Sequence, residues 1–102
     1  MNTEWRKNRI NVAIQVLPQS DGRLSYDLVD KAIEAIRDTG FKYEVCPFET
    51  VVECTYQDLS ILLDKIHEAT QLAGAGQMIT NLKIQVSFEG NVTIDDKMQK
   101  YR

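Results

Sequence analysis

The sequence is poor in the residues that build metal sites and disulfide scaffolds. It contains one histidine, His67, and two cysteines, Cys46 and Cys54, among 102 residues. Both cysteines fall in segments with strand character and lack the close C-x-x-C spacing of zinc or redox sites. We therefore interpret both as reduced, packed thiols and His67 as a surface residue. No metal and no cofactor are expected.

Long apolar runs and concentrated basic charge are also missing. No stretch reaches the roughly 18 apolar residues of a membrane-spanning helix, and no apolar segment follows Met1 as in an export signal. We therefore expect a cytoplasmic protein. Its 12 Lys and Arg against 15 Asp and Glu give a net charge of -3, without a basic block that would neutralise a phosphate backbone. Neither nucleic acid nor membrane is an expected partner.

What remains is the composition of one folded domain. Hydrophobic residues make up 43% and charged residues 26%, which is unlike a disordered chain. We predict a single domain over residues 1–102, with residues 1–8 as a flexible N-terminal extension. A chain this short buries a smaller fraction of its surface than a larger one does, which favours a homo-oligomer, a dimer or a tetramer.

Periodicity predicts alternating strands and helices. Apolar residues at every second position mark the strands, and spacings of three and four residues mark the helices. In chain order we predict a strand over Ile10–Leu17 ended by Pro18, a helix capped by Ser25 and ended at Gly40, strands over Tyr43–Cys46 and Thr50–Cys54, a helix opened by Thr55 with Asp58, a strand over Thr80–Phe88, and a short helix capped by Asp95.

This order indicates an α+β fold of the ferredoxin-like type, βαββαβ. Its four-stranded antiparallel sheet carries two helices on one face, and the other face is predicted to be uncovered. That open face should hold the odd-numbered residues of the first and last strands. Assuming a two-residue turn, the hairpin adds Glu44, Cys46, Val51 and Glu53 to it, although a slip of one residue would exchange the faces.

The hairpin also carries a resemblance to a known family. Tyr43-Glu44-Val45 followed by Thr50-Val51-Val52-Glu53, with the Asp21–Leu24 loop and the closing Thr93–Arg102 segment, resembles the YkoF-like thiamine-binding family over most of the chain. The resemblance implies a ferredoxin-like subunit that pairs through its sheet, a site for thiamine or its hydroxymethylpyrimidine part, and no catalysis. Cys46 and Cys54 stand where the family often has glycine, which would alter the pocket.

The implied ligand defines the site that we look for. Thiamine joins an aminopyrimidine, with a donor amine and acceptor ring nitrogens, to a cationic thiazolium, so a site needs amides, hydroxyls and a carboxylate in a partly apolar cleft. The candidates are Glu44 and Glu53 for the cation or amine, Gln15 and Asn81 for ring nitrogens, Thr50 for a further hydrogen bond, and Phe48 for stacking. Alternatively, Glu53 pairs with Lys83 across strands or between subunits, and the amides and the hydroxyl are satisfied at an interface between sheets.

Three functions stay open at this level. The first is a non-catalytic cytoplasmic protein that binds thiamine or hydroxymethylpyrimidine in transport or salvage. The second is a structural or regulatory subunit whose open sheet face binds another protein. The third, a small isomerase or degradative enzyme, needs an ionisable group with a displaced pKa in a cleft, and the position of His67 on a helix exterior disfavours it.

Overall fold

The structure, a computed structural model, describes residues 3–102, so Met1 and Asn2 lie outside it. Within this range the elements are β1 (Arg9–Ser20), β2 (Arg23–Leu24), α1 (Tyr26–Asp38), β3 (Lys42–Val45), β4 (Thr50–Thr55), α2 (Leu59–Leu72), β5 (Gln77–Gln85) and α3 (Ile94–Met98). Short 3-10 helices cover Glu4–Lys7, Tyr56–Asp58 and Gln99–Tyr101.

The strands form one antiparallel sheet in the order β5-β1-β4-β3. This is the strand order of the ferredoxin-like fold, and the predicted fold class is confirmed. Two elements add to it. β2 forms a two-residue hairpin arm on the end of β1, and α3 follows the last strand.

The core lies between one face of the sheet and the helices α1 and α2. Even-numbered residues of β1 and β4 meet apolar residues of both helices, because side chains alternate between faces along a strand. The buried cluster consists of Ile10, Val12, Ile14, Ala32, Ile36, Val52, Cys54, Leu62 and Ile66. The helices are therefore on one face, as predicted.

β1 continues past Pro18, which we predicted to end it. Pro18 is buried and pairs with Met78 of β5. Its carbonyl accepts a hydrogen bond from the Ser25 amide at 3.1 Å, on the side away from β5. The Pro18 nitrogen, which carries no hydrogen, faces that same side. Because β4 has already ended there, no hydrogen bond of the sheet is lost.

The hairpin between β3 and β4 has the predicted faces but a longer turn. Val45 pairs with Thr50, leaving residues 46–49 as a four-residue turn that the Cys46 amide closes on the Glu49 carbonyl at 3.0 Å. Two and four residues have the same parity, so Tyr43 and Val52 still face the helices. Glu44, Val51 and Glu53 consequently lie on the other face.

Two of the three predicted helix caps are wrong. Ser25 caps α1 as predicted, its Oγ accepting from the Leu28 amide at 3.3 Å. Thr55 makes no side-chain cap because a 3-10 turn separates it from α2. At α3 the cap is Thr93, which accepts from the Asp96 amide at 3.1 Å, and the predicted Asp95 is already inside the first turn.

The last strand is displaced from its predicted position over Thr80–Phe88. It begins at Gln77 because β1 is long enough to pair Gln19 with it, and it ends at Gln85. Phe88 instead leaves the sheet and packs edge-on against Trp5, with ring centroids 5.2 Å apart.

The N-terminal segment makes contacts that the sequence did not suggest. Trp5, in the 3-10 helix Glu4–Lys7, packs against Phe88 and against Tyr56 with ring centroids 4.8 Å apart. We predicted residues 1–8 to be a flexible extension. Their flexibility stays a prediction, but Trp5 is tied to the end of the sheet.

Candidate functional site

The open face of the sheet brings polar side chains from four strands into two rows. Paired residues of neighbouring strands point to the same face, and neighbouring strands lie about 4.8 Å apart. From β3 to β5 the rows are Glu44, Val51, Ala13, Lys83 and Lys42, Glu53, Asn11, Gln85. The first row therefore has a carboxylate at one end and an ammonium at the other.

The segment ending in α3 covers part of this face, which we predicted to be uncovered. The Ile94 amide donates to Glu53 Oε1 at 2.8 Å, and Asn11 Nδ2 donates to the Val92 carbonyl at 3.0 Å. The Val92 amide in turn donates to the Arg9 carbonyl at 2.9 Å. These bonds hold the chain over β1 and β4 and bury the Ile94 side chain against the sheet.

A cleft of about 330 Å³ lies between the sheet and α3. We call it the α3 cleft. Its lining consists of Asn11, Ala13, Glu44, Cys46, Val51, Lys83, Ile84, Gln85, Ile94, Lys97 and Met98. Small-molecule sites usually measure about 300–1,000 Å³ and combine apolar walls with a few placed polar groups. The α3 cleft has the size and the mixture of side chains for a small ligand.

Asn11 contributes a polar atom without a partner. Its side chain is only 5% exposed, and Oδ1 has no hydrogen-bond partner within the described chain. The orientation of the amide is fixed, because Val92 presents a carbonyl that only the Nδ2 group can satisfy. Leaving a buried acceptor unsatisfied costs about 1–3 kcal/mol. Because Oδ1 is itself covered, a ligand in the cleft recovers that free energy once the side chains over Oδ1 shift to let its donor reach the oxygen.

Ion pairs surround the α3 cleft. Arg102 pairs with Glu44 and, at 3.0 Å, with Asp95, which also pairs with Lys42 at 2.6 Å. On the opposite wall Lys83 pairs with Glu49 at 3.1 Å. Glu44 therefore lies in the cleft, on the sheet face predicted for it, and is paired with an exposed guanidinium that a cationic or amine-bearing ligand can replace.

Three of the other predicted residues lie next to the cleft rather than in it. Gln15, Asn81 and Phe48 line a second hollow of about 410 Å³ that shares Ala13 and Lys83 with the α3 cleft. Asn81 Nδ2 donates to Gln15 Oε1 at 3.2 Å, so the two amides partly satisfy each other. The Phe48 side chain is 84% exposed at the tip of the hairpin.

Thr50 and Glu53 are placed differently from the prediction. Thr50 pairs with Ile14 and is buried on the helix side, where it lines a groove of about 90 Å³. Glu53 is on the open face but only 6% exposed, and it accepts from Ile94 and, at 3.2 Å, from Arg9 Nη1. Within the chain, Lys83 pairs with Glu49 instead of Glu53, so the alternative of a cross-strand pair between Glu53 and Lys83 is wrong. Glu53 orders the wall of the cleft.

The two cysteines differ sharply. Cys46 is exposed and lines the α3 cleft, contrary to the packed thiol that we predicted, so its bulk does shape the pocket. Cys54 faces the helices and is buried. Burial, with a smaller contribution from the charge of Asp58, raises the pKa of Cys54 from 9.0 to about 11. It is a neutral core thiol away from the cleft.

His67 lies on the exposed side of α2, as predicted, with Nε2 at 2.8 Å from Thr80 Oγ1. Across residues 3–102 no three His, Cys, Asp or Glu side chains are grouped so that they can hold a metal ion. In the same range, every helix is too short or too polar to cross a bilayer.

Comparison with known proteins agrees with this fold. A family model described as thiamine-binding protein matches residues 12–102. The chain belongs to the thiamine-binding protein family. The resemblance seen in the sequence is thereby confirmed. Within this family, a UPF0045 protein of Clostridium perfringens is 42% identical over 92 residues, covering 90% of this chain and 96% of the relative.

Solved structures from the same comparison share the architecture. A Bacillus cereus domain of unknown function, DUF77, is 36% identical with a TM-score of 0.84, covering 93% of this chain and 91% of its own. A proposed thiamine biosynthesis/salvage protein of Thermotoga maritima is 34% identical with a TM-score of 0.79, covering 92% and 99%.

In this member of the thiamine-binding protein family, the sequence did not reveal that residues of α3 line the cleft. Lys97 and Met98 follow the last strand, and periodicity gives no sign of which face of the sheet they cover. The sequence held one signal for Asn11: it is an amide between the two apolar residues Ile10 and Val12 of a strand. Because asparagine is seldom fully buried, such a residue is a candidate for a specific hydrogen bond. Its burial depends on Val92, 81 residues away along the chain.

Proposed function

We propose that this chain is a non-catalytic binding protein for thiamine or its hydroxymethylpyrimidine part, and that the ligand occupies the α3 cleft. The observation that carries the proposal is that Asn11, whose buried Oδ1 has no partner, lines a cleft that combines apolar walls with a few polar side chains. An aminopyrimidine has the complementary donor in its exocyclic amine. The family name and the description of the Thermotoga maritima protein support the same class of ligand.

The remaining cleft side chains fit this ligand. Glu44 supplies a carboxylate for the amine or for the thiazolium cation, once Arg102 has moved aside. Ala13 and Val51 provide an apolar floor, and Met98 an adaptable apolar wall, for a flat ring. The proposal gives Glu53 a positioning role, because Oε1 already accepts from the Ile94 amide in the segment that forms the wall, and Oε2 is paired with Arg9 of β1.

The test is calorimetric titration of the full chain with thiamine and with hydroxymethylpyrimidine. Glu44→Gln removes the carboxylate charge at the cleft and should weaken binding about tenfold, the loss of one charge-assisted contact. Glu68→Gln is the matched control. It makes the same change at an exposed position of α2 that does not line the cleft. Equal effects of the two variants, or no binding of either compound at millimolar concentration, would reject the proposal.

The predicted homo-oligomer belongs to this proposal as well. β5 is a nine-residue edge strand whose outer side pairs with no strand among the described residues, and Ile79 and Ile84 on it are exposed. Long edges with exposed apolar side chains tend to pair with another chain. We propose a dimer through β5, acting in the cytoplasm in thiamine transport or salvage. Sedimentation equilibrium of the wild type and of Ile79→Lys tests this dimer. We expect the wild type to be a dimer and the variant to be a monomer.

A further inference from the structure

Lys97 differs from the other cations around the α3 cleft. It lies on α3, lines the cleft, and donates from Nζ to Gln85 Oε1. Among residues 3–102 it makes no salt bridge, whereas Lys83 and Arg102 at the cleft are paired with Glu49 and Glu44. In each of these pairs the carboxylate neutralises the charge of the cation. The ammonium of Lys97 is therefore the uncompensated charge of the cleft, in a chain whose net charge is -3.

The position of Lys97 relative to Asn11 restricts what it can recognise. Gln85, its hydrogen-bond partner, is the β5 residue paired directly with Asn11 of β1, and such pairs have Cα atoms about 4.5–5.5 Å apart. The ammonium group of Lys97 therefore lies close to the unpartnered acceptor Oδ1 of Asn11. A ligand that uses both needs a donor and an anion only a few ångström apart, an arrangement that substituents on adjacent atoms of one ring provide.

We infer, on the basis of the proposed function, that the cleft selects the phosphate monoester of hydroxymethylpyrimidine. In that compound the exocyclic amine and the phosphomethyl group are on adjacent ring carbons, so the amine can donate to Asn11 while the phosphate accepts from Lys97. Thiamine carries its cationic thiazolium on the same ring carbon, which would face the ammonium of Lys97 with a like charge. The order of affinity follows as phosphate ester, then free alcohol, then thiamine.

The experiment is calorimetric titration of the full chain with these three ligands and with inorganic phosphate, at low and at physiological salt. We expect the phosphate ester to bind about tenfold more tightly than the alcohol, with the difference shrinking at higher salt. Lys97→Gln should remove this advantage and leave the affinity for the alcohol within about twofold, and Lys97→Arg should retain it. Lys100→Gln is the matched control, because Lys100 lies over the Tyr101 ring and does not line the cleft.

The outcomes separate this inference from the proposed function. If the alcohol or thiamine binds as tightly as the phosphate ester, or if Lys97→Gln weakens all ligands alike, the inference is overturned and the proposed function stands. If inorganic phosphate alone binds as tightly as the ester, the cleft recognises a free anion and the inference is overturned. If none of the pyrimidine compounds binds, both are overturned.

Discussion

Replacing Glu53 should release the segment that forms one wall of the α3 cleft. Its carboxylate is buried and accepts from the Ile94 amide at 2.8 Å and from Arg9 Nη1 at 3.2 Å. Glu53→Ala removes both acceptors and leaves the Ile94 N–H without a partner. No other side chain of the described sheet makes a hydrogen bond to the backbone of α3.

The size of the effect follows from these contacts. A hydrogen bond to a charged group contributes about 1.5–3 kcal/mol, and the pair with the exposed Arg9 adds at most about 1 kcal/mol. Glu53→Ala should therefore lower the free energy of unfolding by about 2–4 kcal/mol, which in a domain of this length lowers Tm by roughly 10–30 °C. Glu53→Gln keeps an acceptor for Ile94 and should cost only about 1 kcal/mol.

Urea unfolding followed by far-UV circular dichroism measures the global change, and hydrogen exchange at the Ile94 amide measures the local one. Glu49→Ala is the control, because its pair with Lys83 is on the surface and should contribute less than about 1 kcal/mol. The reasoning is refuted if Glu53→Ala stays within about 0.5 kcal/mol of the wild type with unchanged protection of Ile94.

Two further predictions concern the cysteines and the helix caps. Exposed Cys46 should react with a thiol reagent in the native state while Cys54 stays protected. Because burial raises the pKa of Cys54 to about 11, its contribution to stability is present below pH 9.0 and is lost as the pH rises toward 11. Cys54→Ala should therefore reduce the fall of the unfolding free energy between these pH values, and an unchanged slope against pH would contradict this. Ser25→Ala should lower the free energy of unfolding, measured in urea, by about 1 kcal/mol because it removes the cap of α1. Thr55 makes no cap bond, so Thr55→Ala should lower it by less. The reverse order would show that the caps are misassigned.

The sheet was predictable because its information is local and has a period of two. The alternation of the branched residues Ile10, Val12 and Ile14 with smaller or polar ones sets the two faces of β1. Parity along the hairpin places Glu44 and Glu53 opposite the helices whether the turn has two residues or four. The same parity puts Thr50 on the helix side. Its inclusion among the ligand-binding candidates overlooked that rule.

The cleft was not predictable because it depends on contacts between residues far apart in the sequence. A five-residue helix at α3 has too few turns for its periodicity to indicate which surface it covers. Its position is set by Glu53, 41 residues before Ile94, and by the Val92 carbonyl on Asn11. The sequence places this carboxylate and this amide on the same face of the sheet, but it does not show that they hold the same segment.

The most direct test of the central claim is a titration of the isotope-labelled chain with hydroxymethylpyrimidine, followed by amide chemical shifts in two-dimensional NMR. Binding in the α3 cleft predicts saturable shifts at Ala13, Val51 and Met98 and at the side-chain amide of Asn11, while α1 stays unchanged. Shifts confined to Gln15 and Asn81 in the neighbouring hollow, or no shifts at millimolar ligand, would contradict the claim that this cleft is the binding site.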